Sequence, residues 1–346
     1  MRNRTELERG RVLRKYSGKR LLITGGRGYL AANLVDALKN ISCAVTLLDT
    51  APPPERRPAA AARIKDVVAD LRGLRDWSAL LRGTDFVFHL AAQTSAGAAD
   101  KDPLSDQAVN VLPLLALLET CRKRKFRSAV IFASTVTAAG IPKRLPVDES
   151  FREVPPTVYD LHKTIAESYL EYYAAAGAVS GAALRLANVY GPGPKSASAD
   201  RGILNRMILK ALKGWDLPVY GAGSYIRDYV YAGDVAAAFL AAGVKAAGLK
   251  GRRFIVGSGK GYSLRQAFRL VSERAALKTG NKARIVRVKP PGGAPAVDKR
   301  NFIADTGLFR KSAGWRPLYG LAEGIDATIA YYLGESPALR LLKGKP

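Results

Sequence analysis

From Lys19 onward the chain alternates short apolar runs with amphipathic stretches. The runs KRLLIT, AVTLLD, IKDVVAD, DFVFHLAA, SAVIFAS and GAALRLANV are rich in Val, Leu, Ile and Phe and bounded by turn residues, which predicts six strands. Between them, YLAANLVDALKN, LLALLETCRKRK and PTVYDLHKTIAESYLEYYAAAG predict helices. Strands alternating with helices build βαβ units, and those stack into a doubly wound α/β domain with a parallel sheet, expected over residues 19–189. After YGPGP at 190–194 the alternation loosens. ILNRMILKALKG, DVAAAFLAAGVKA and SLRQAFRLVSERAAL predict helices, LPVYG and RRFIVGSG strands, and KPPGGAPAVDK a Pro/Gly loop. A smaller C-terminal α/β lobe is expected over 190–228 and 263–346, with 229–262 returning to the first domain.

Composition narrows the chemistry. The 346 residues suffice for two such units, and 48% hydrophobic with 24% charged residues excludes a disordered or fibrous chain. Two cysteines, Cys43 and Cys121, and two histidines, His89 and His162, exclude a disulfide framework and leave no metal centre to expect. His89 falls in a predicted strand and is expected to be a hydrogen-bonded core residue, while the cysteines are expected as small apolar fillers. No apolar run reaches the roughly 18–20 residues of a membrane span, and the N-terminal segment is charged throughout, unlike a signal peptide. The expected compartment is cytoplasmic and thiol-reducing. Lys and Arg number 55 against 29 Asp and Glu, a net charge of +26 that attracts anions such as dinucleotides and nucleotide sugars. The basic residues are spread along the chain without a nucleic-acid motif, so specific nucleic-acid binding is not expected. Residues 1–18 form a basic extension, expected as a frayed, solvated tail.

The first predicted strand runs into Thr24-Gly25-Gly26-Arg27-Gly28-Tyr29-Leu30-Ala31, which contains G-x-G-x-x-A between a strand and a helix. Glycines there permit a tight turn and close backbone approach to a pyrophosphate, and the helix start offers unpaired N–H groups. Asp49 ends the next strand, about 20 residues on, where a carboxylate accepts hydrogen bonds from the adenosine ribose. The pair marks a Rossmann-type dinucleotide site and favours NAD over NADP, with Arg56 and Arg57 standing nearby. Farther along, Tyr159 and Lys163 are four residues apart and share a helix face. A phenol titrating near pH 10 is a poor base, but a lysine ammonium beside it lowers its pKa. The preceding strand ends in Phe132-Ala133-Ser134-Thr135, which brings a hydroxyl toward the same end of the sheet.

In order, TGGRGYLA, LLD, ADLRG, HLAA, the Asn of AVNV, FAST, YDLHK, LRLANVYGPG, RDYVYAGD, FIVGSG and GWRP span Lys19 to Leu333. The set resembles the extended short-chain dehydrogenase/reductase family, in its nucleotide-sugar epimerase/dehydratase branch. The resemblance implies that Gly25, Gly28, Tyr29, Leu30 and Ala31 hold the pyrophosphate of NAD, with Ala31 replacing the usual glycine. It implies that Asp49 holds the ribose, that Asp70 and Leu71 flank the adenine, that Ala91 and Ala92 border the dinucleotide, and that Asn110 supports the helix beside it. Thr135, Tyr159 and Lys163 are implied as catalytic, with Lys163 also on the nicotinamide ribose. Asn188 and Arg227 are implied to meet the diphosphate of a nucleotide sugar, a UDP-sugar above all. The alternative for Arg227 is a surface salt bridge with Asp228.

Dehydratases of this branch carry an Asp-Glu pair directly after the threonine. Here Val136-Thr137-Ala138-Ala139-Gly140 follows, without a carboxylate, so the resemblance implies a 4-epimerase. A 4-keto-sugar reductase and a non-catalytic nucleotide- or polyanion-binding protein remain the alternatives. Two positions depart from the family: Ala139 stands where a tyrosine is common, and either Lys299 or Arg300 could serve as the diphosphate-binding cation near Ala304-Asp305-Thr306. The helices around 103–125 and 157–176 correspond to the family's dimer bundle, which implies a homodimer.

Overall fold

In the computed structural model, residues 2–55, 59–194, 202–289 and 299–334 are described. Arg56, Arg57 and residues 290–298 of the Pro/Gly loop lie outside them. Strands β1 (Arg20–Thr24), β2 (Ala44–Asp49), β3 (Arg63–Val68), β4 (Phe86–His89), β5 (Ala129–Thr135), β6 (Ser180–Leu186) and β10 (Arg253–Val256) form one sheet in the order β10-β6-β5-β4-β1-β2-β3. Every neighbouring pair in it is parallel. Strands buried on both faces need apolar residues at successive positions, and β5, AVIFAST, is buried along its whole length.

Successive residues of β1 serve opposite layers. Leu21 and Ile23 pack with Phe88 beneath α2 (Tyr29–Leu38) and α9 (Ala232–Leu249). Leu22 packs with Trp77, Val87 and Phe132 beneath α6 (Leu112–Arg124) and α7 (Val158–Ala175). Helix α9 has the length and apolarity to cross a membrane, with mean hydropathy 1.4, but 67% of it is buried against the sheet. It is the core helix of that layer.

GAALRLANV divides where a single strand was expected. Thr135 of β5 pairs with Leu186 of β6, and β5 ends there, so the next residues have no ladder partner in the main sheet. After Ala187 the chain enters β7 (Asn188–Tyr190), which pairs in parallel with β9 (Ile226–Tyr231). With β11 (Gly261–Ser263) these form a three-stranded sheet in a second lobe. A parallel pair, β8 (Leu217–Tyr220) and β12 (Ile285–Val288), completes that lobe with helices α8 (Ile203–Leu212), α10 (Leu264–Thr279) and α12 (Leu321–Leu333). Its core gathers Tyr190, Met207, Phe268, Val271 and Ile325. Ser263 and Gln266 close a reciprocal cap at the start of α10, and Gly280 ends it in the left-handed region.

The N-terminal extension is not a frayed tail. Residues Arg2–Arg14 form helix α1, which packs on α9. Arg9 reaches the fully buried carboxylate of Asp234 at 2.5 Å and the Arg316 carbonyl at 3.1 Å. Tyr16, also fully buried, donates to the Leu240 carbonyl at 2.7 Å. Polar residues cover most of this helix and Leu7 is exposed; only Val12 and Leu13 at its end pack against the core, too short a stripe to announce the docking.

Candidate active site at the carboxyl ends of the sheet

The strand order reverses direction between β1 and β4, and in open α/β sheets the crevice at such a point receives ligands. Gly25 leaves β1 with φ +67°, and a Cβ there would lie 2.9 Å from the Ala91 backbone, so the turn rests directly on the end of β4. Thr24 locks the two strand ends: its hydroxyl accepts the N–H groups of Leu90 and Ala91, each at 3.1 Å. Its single proton therefore goes to His89 Nδ1, 3.1 Å away. Burial, reinforced by the charge of Lys163, lowers the His89 pKa to about 3 and keeps the ring neutral.

Gly28 caps α2, and its Cβ would sit 3.0 Å from the Gly25 carbonyl; the first N–H groups of the helix, at Tyr29, Leu30 and Ala31, have no acceptor within it. Ala31 is fully buried, which explains why a small residue closes the motif. Asp49 accepts the Arg27 N–H and the Ala51 N–H, both at 2.9 Å, so its carboxylate is held at the end of β2. The Arg27 guanidinium pairs with Asp66 of β3. Asp70 is turned onto Arg72, which lowers its pKa by direct hydrogen bonding, and the Leu71 side chain is packed into the core. Asn110 is buried and donates to the Gln93 carbonyl at 3.0 Å and to Asp106 at 2.9 Å, tying α5 (Pro103–Asn110) to the loop after Ala91 and Ala92.

Helix α7 brings Tyr159 and Lys163 to this crevice. Thr157 caps it, and Tyr159 and Lys163 lie on its buried face, 6% and 2% exposed. Lys163 donates to the Ala133 carbonyl of β5 at 3.1 Å and stands 4.6 Å from the centroid of the Phe132 ring and 5.8 Å from that of Tyr159. Thr135, two residues beyond Ala133, is 6% exposed, and its hydroxyl lies 2.6 Å from that of Thr137. The structure thus gathers a phenol, an ammonium and a hydroxyl at the carboxyl end of β5.

The sequence pattern of the NAD dependent epimerase/dehydratase family matches residues 21–257. The chain belongs to that family. NAD is its cofactor, and the glycine turn, the open helix start and Asp49 are the groups that fit it. UDP-glucose 4-epimerase of Mycolicibacterium smegmatis is 30% identical over 327 residues, covering 92% of this chain and 99% of its own. The structure of UDP-glucose 4-epimerase from Thermotoga maritima with UDP-glucose is similar with a TM-score of 0.78 and 29% identity, covering 91% of this chain and 98% of that one. The UDP-glucose 4-epimerase of Thermus thermophilus in complex with NAD gives a TM-score of 0.76 at 29% identity, covering 92% of this chain and all of the other.

In this epimerase/dehydratase chain the second lobe carries the other residues singled out from the sequence. Asn188 and Arg227 lie on the neighbouring strands β7 and β9. Arg227 is 7% exposed and donates to the carbonyls of Ile226, at 3.1 Å, and Arg300. Of the two residues weighed near Ala304, Arg300 is buried at 6% exposure beside Arg227, whereas Lys299 is exposed. A surface pair of Arg227 with Asp228 does not describe the site, because both are buried. Asp228 is engaged by Ser258, Gly259 N–H and Ala304 N–H, and burial raises its pKa. Tyr29 joins the lobes: its hydroxyl donates to the Gly191 carbonyl at 2.9 Å, and burial pushes its phenol above the usual range.

Several buried polar pairs near the site had no sequence signal. The loop after Thr135 carries no carboxylate, but α7 delivers one from outside it: Thr137 and Thr157 both donate to Asp160, the latter at 2.7 Å. His162 bonds Asp106 of α5 at 2.7 Å, and Asp106 also accepts from Gln93 at 2.8 Å. Thr157 caps Asp160 from three residues away, but the Thr137–Asp160 and Asp106–His162 pairs join residues 23 and 56 apart, which no spacing rule covers.

Proposed function

We propose that the chain is an NAD-dependent nucleotide-sugar 4-epimerase acting on a UDP-sugar. The observation that carries this reading is the buried Tyr159–Lys163 pair, with Lys163 bonded to Ala133 two residues before Thr135, and no carboxylate in the segment after Thr135 to drive loss of water. NAD, when bound, would supply a hydride acceptor and donor for sugar C4. Tyr159, as phenolate, takes the proton of the sugar 4-hydroxyl and, as phenol, gives it back to the oxygen of the turned 4-keto sugar. Lys163 stabilises the phenolate and grips the nicotinamide ribose. Thr135 orients the reacting oxygen, and Asn188, Arg227 and Arg300 meet the diphosphate. Gly25, Gly28, Tyr29, Leu30, Ala31, Asp49, Asp70, Leu71, Ala91, Ala92 and Asn110 form the cofactor side. Exposed Leu104 of α5 and Leu161 and Tyr172 of α7 support a homodimer through those helices. The test is incubation with UDP-glucose, following UDP-galactose by proton NMR. Interconversion abolished by Tyr159→Phe supports the reading, and an unaffected variant overturns it. Net consumption of reduced cofactor with a 4-keto sugar would instead identify a reductase.

A further inference from the structure

The hydroxyls of Thr135 and Thr137 are 2.6 Å apart, and from that distance alone either could donate. The carboxylate behind them settles the direction. Asp160 is 3% exposed, and its two oxygens receive the hydroxyls of Thr137 and Thr157. A carboxylate only accepts, and each threonine has one hydroxyl proton. Thr137 has spent its proton on Asp160, so the proton in the Thr135–Thr137 bond belongs to Thr135. Thr135 also accepts the Thr137 N–H at 3.2 Å. One lone pair is left to it, and no proton.

We infer that Asp160 is a positioning residue that, acting through Thr137, makes Thr135 an acceptor-only group toward the crevice. Any hydroxyl oriented by Thr135 must donate to it, and a ketone oxygen finds no donor there. Resting on the proposed 4-epimerase reading, the consequence is a difference between two states of the sugar. The 4-hydroxyl has one proton, which rests on Thr135 until it swings to the Tyr159 phenolate; the 4-ketone has none to give Thr135, so Tyr159 is the donor left for it. An intermediate that must turn over before it is reduced benefits from being loosely held. No bond to carbon is made or broken by Thr135, Thr137 or Asp160.

Two measurements test this. Neutron diffraction from deuterium-exchanged crystals of the full chain reads the polarity directly, whatever the reaction proves to be. Deuterium on Thr135 between the two threonines, with none on Asp160, is the expected result. Deuterium pointing from Thr135 into the crevice, or residing on Asp160, overturns the inference. In solution, Thr137→Val frees the Thr135 proton to reach a ketone. With UDP-glucose as the probe, the fraction of bound cofactor standing reduced at steady state, read at 340 nm, should rise about three- to tenfold, the worth of one hydrogen bond. Thr137→Ser should restore the wild-type fraction, and Asp160→Ala should raise it as Thr137→Val does. A merely structural role would lower thermal stability in these variants and leave that fraction unchanged, and that result counts against the inference. A wild type that never interconverts UDP-sugars removes the 4-epimerase reading and leaves the neutron result to decide the polarity.

Discussion

Helices α7 and α9 are both 18 residues long and lie on opposite faces of the same sheet, but they are built from different materials. The buried residues of α9 are Ala, Val, Phe, Leu and Gly, with Asp234 as the single charge. The buried face of α7 carries Asp160, His162, Lys163 and Glu167. Each of these has a partner from another element: Thr137 for Asp160, Asp106 for His162, the Ala133 carbonyl for Lys163, and Arg185 for Glu167. Buried ionisable groups cost stability unless they are satisfied, so a helix loaded with them points to chemistry, and one stripped of them to packing.

Substitutions on the two helices should therefore separate activity from stability. The largest expected effect is on α7: Lys163→Met should lower kcat about 10³- to 10⁴-fold with the fold retained, measured by initial rates and circular dichroism. A variant that unfolds instead would make α7 a packing element and end the comparison. On α9, Phe239→Ala should cost about 3–4 kcal/mol in urea unfolding and leave kcat unchanged, since Phe239 is fully buried against Phe88. Arg9→Ala leaves the Asp234 carboxylate buried without its cation and should cost about 2–3 kcal/mol, less than a wholly buried pair because Arg9 is partly solvated. The smallest effect is a pH dependence from His89. The unfolded imidazole takes up its proton near pH 6.5 and the folded one only near 3. That contribution is complete above pH 6.5 and falls by at most about 1.4 kcal/mol per unit as the pH drops toward 3. Chemical unfolding at pH 7.0 and 5.5 should show a loss of about 1 kcal/mol that His89→Gln removes.

The difference between the helices also explains what could be read from the sequence. Parallel strands are buried on both faces, so FVFH and AVIFAST stand out as unbroken apolar runs and the main sheet followed from them. The turn at Gly25–Ala31 and the four-residue spacing of Tyr159 and Lys163 are local, and they too were visible. The Thr137–Asp160 bond joins residues 23 apart and exists only because α7 packs against the end of β5. Arg227 meets the Arg300 carbonyl across 73 residues, which no spacing rule covers. The division of LRLANV depends on where β5 stops, a property of another strand. Helix α1 escaped because Val12 and Leu13 make too short an apolar stripe.

That first helix has a consequence for the order of assembly. Arg2 pairs with Glu323 at 2.7 Å across 321 residues, and Arg9 reaches Asp234 and the Arg316 carbonyl. Along the chain helix α1 is made well before Asp234, Arg316 and Glu323, the residues that seat it. Helix α1 must wait, exposed, while the sheet and second lobe form, and then bind a surface shared by both. It is made before its partners and put in place after them, as a clasp closes a bracelet.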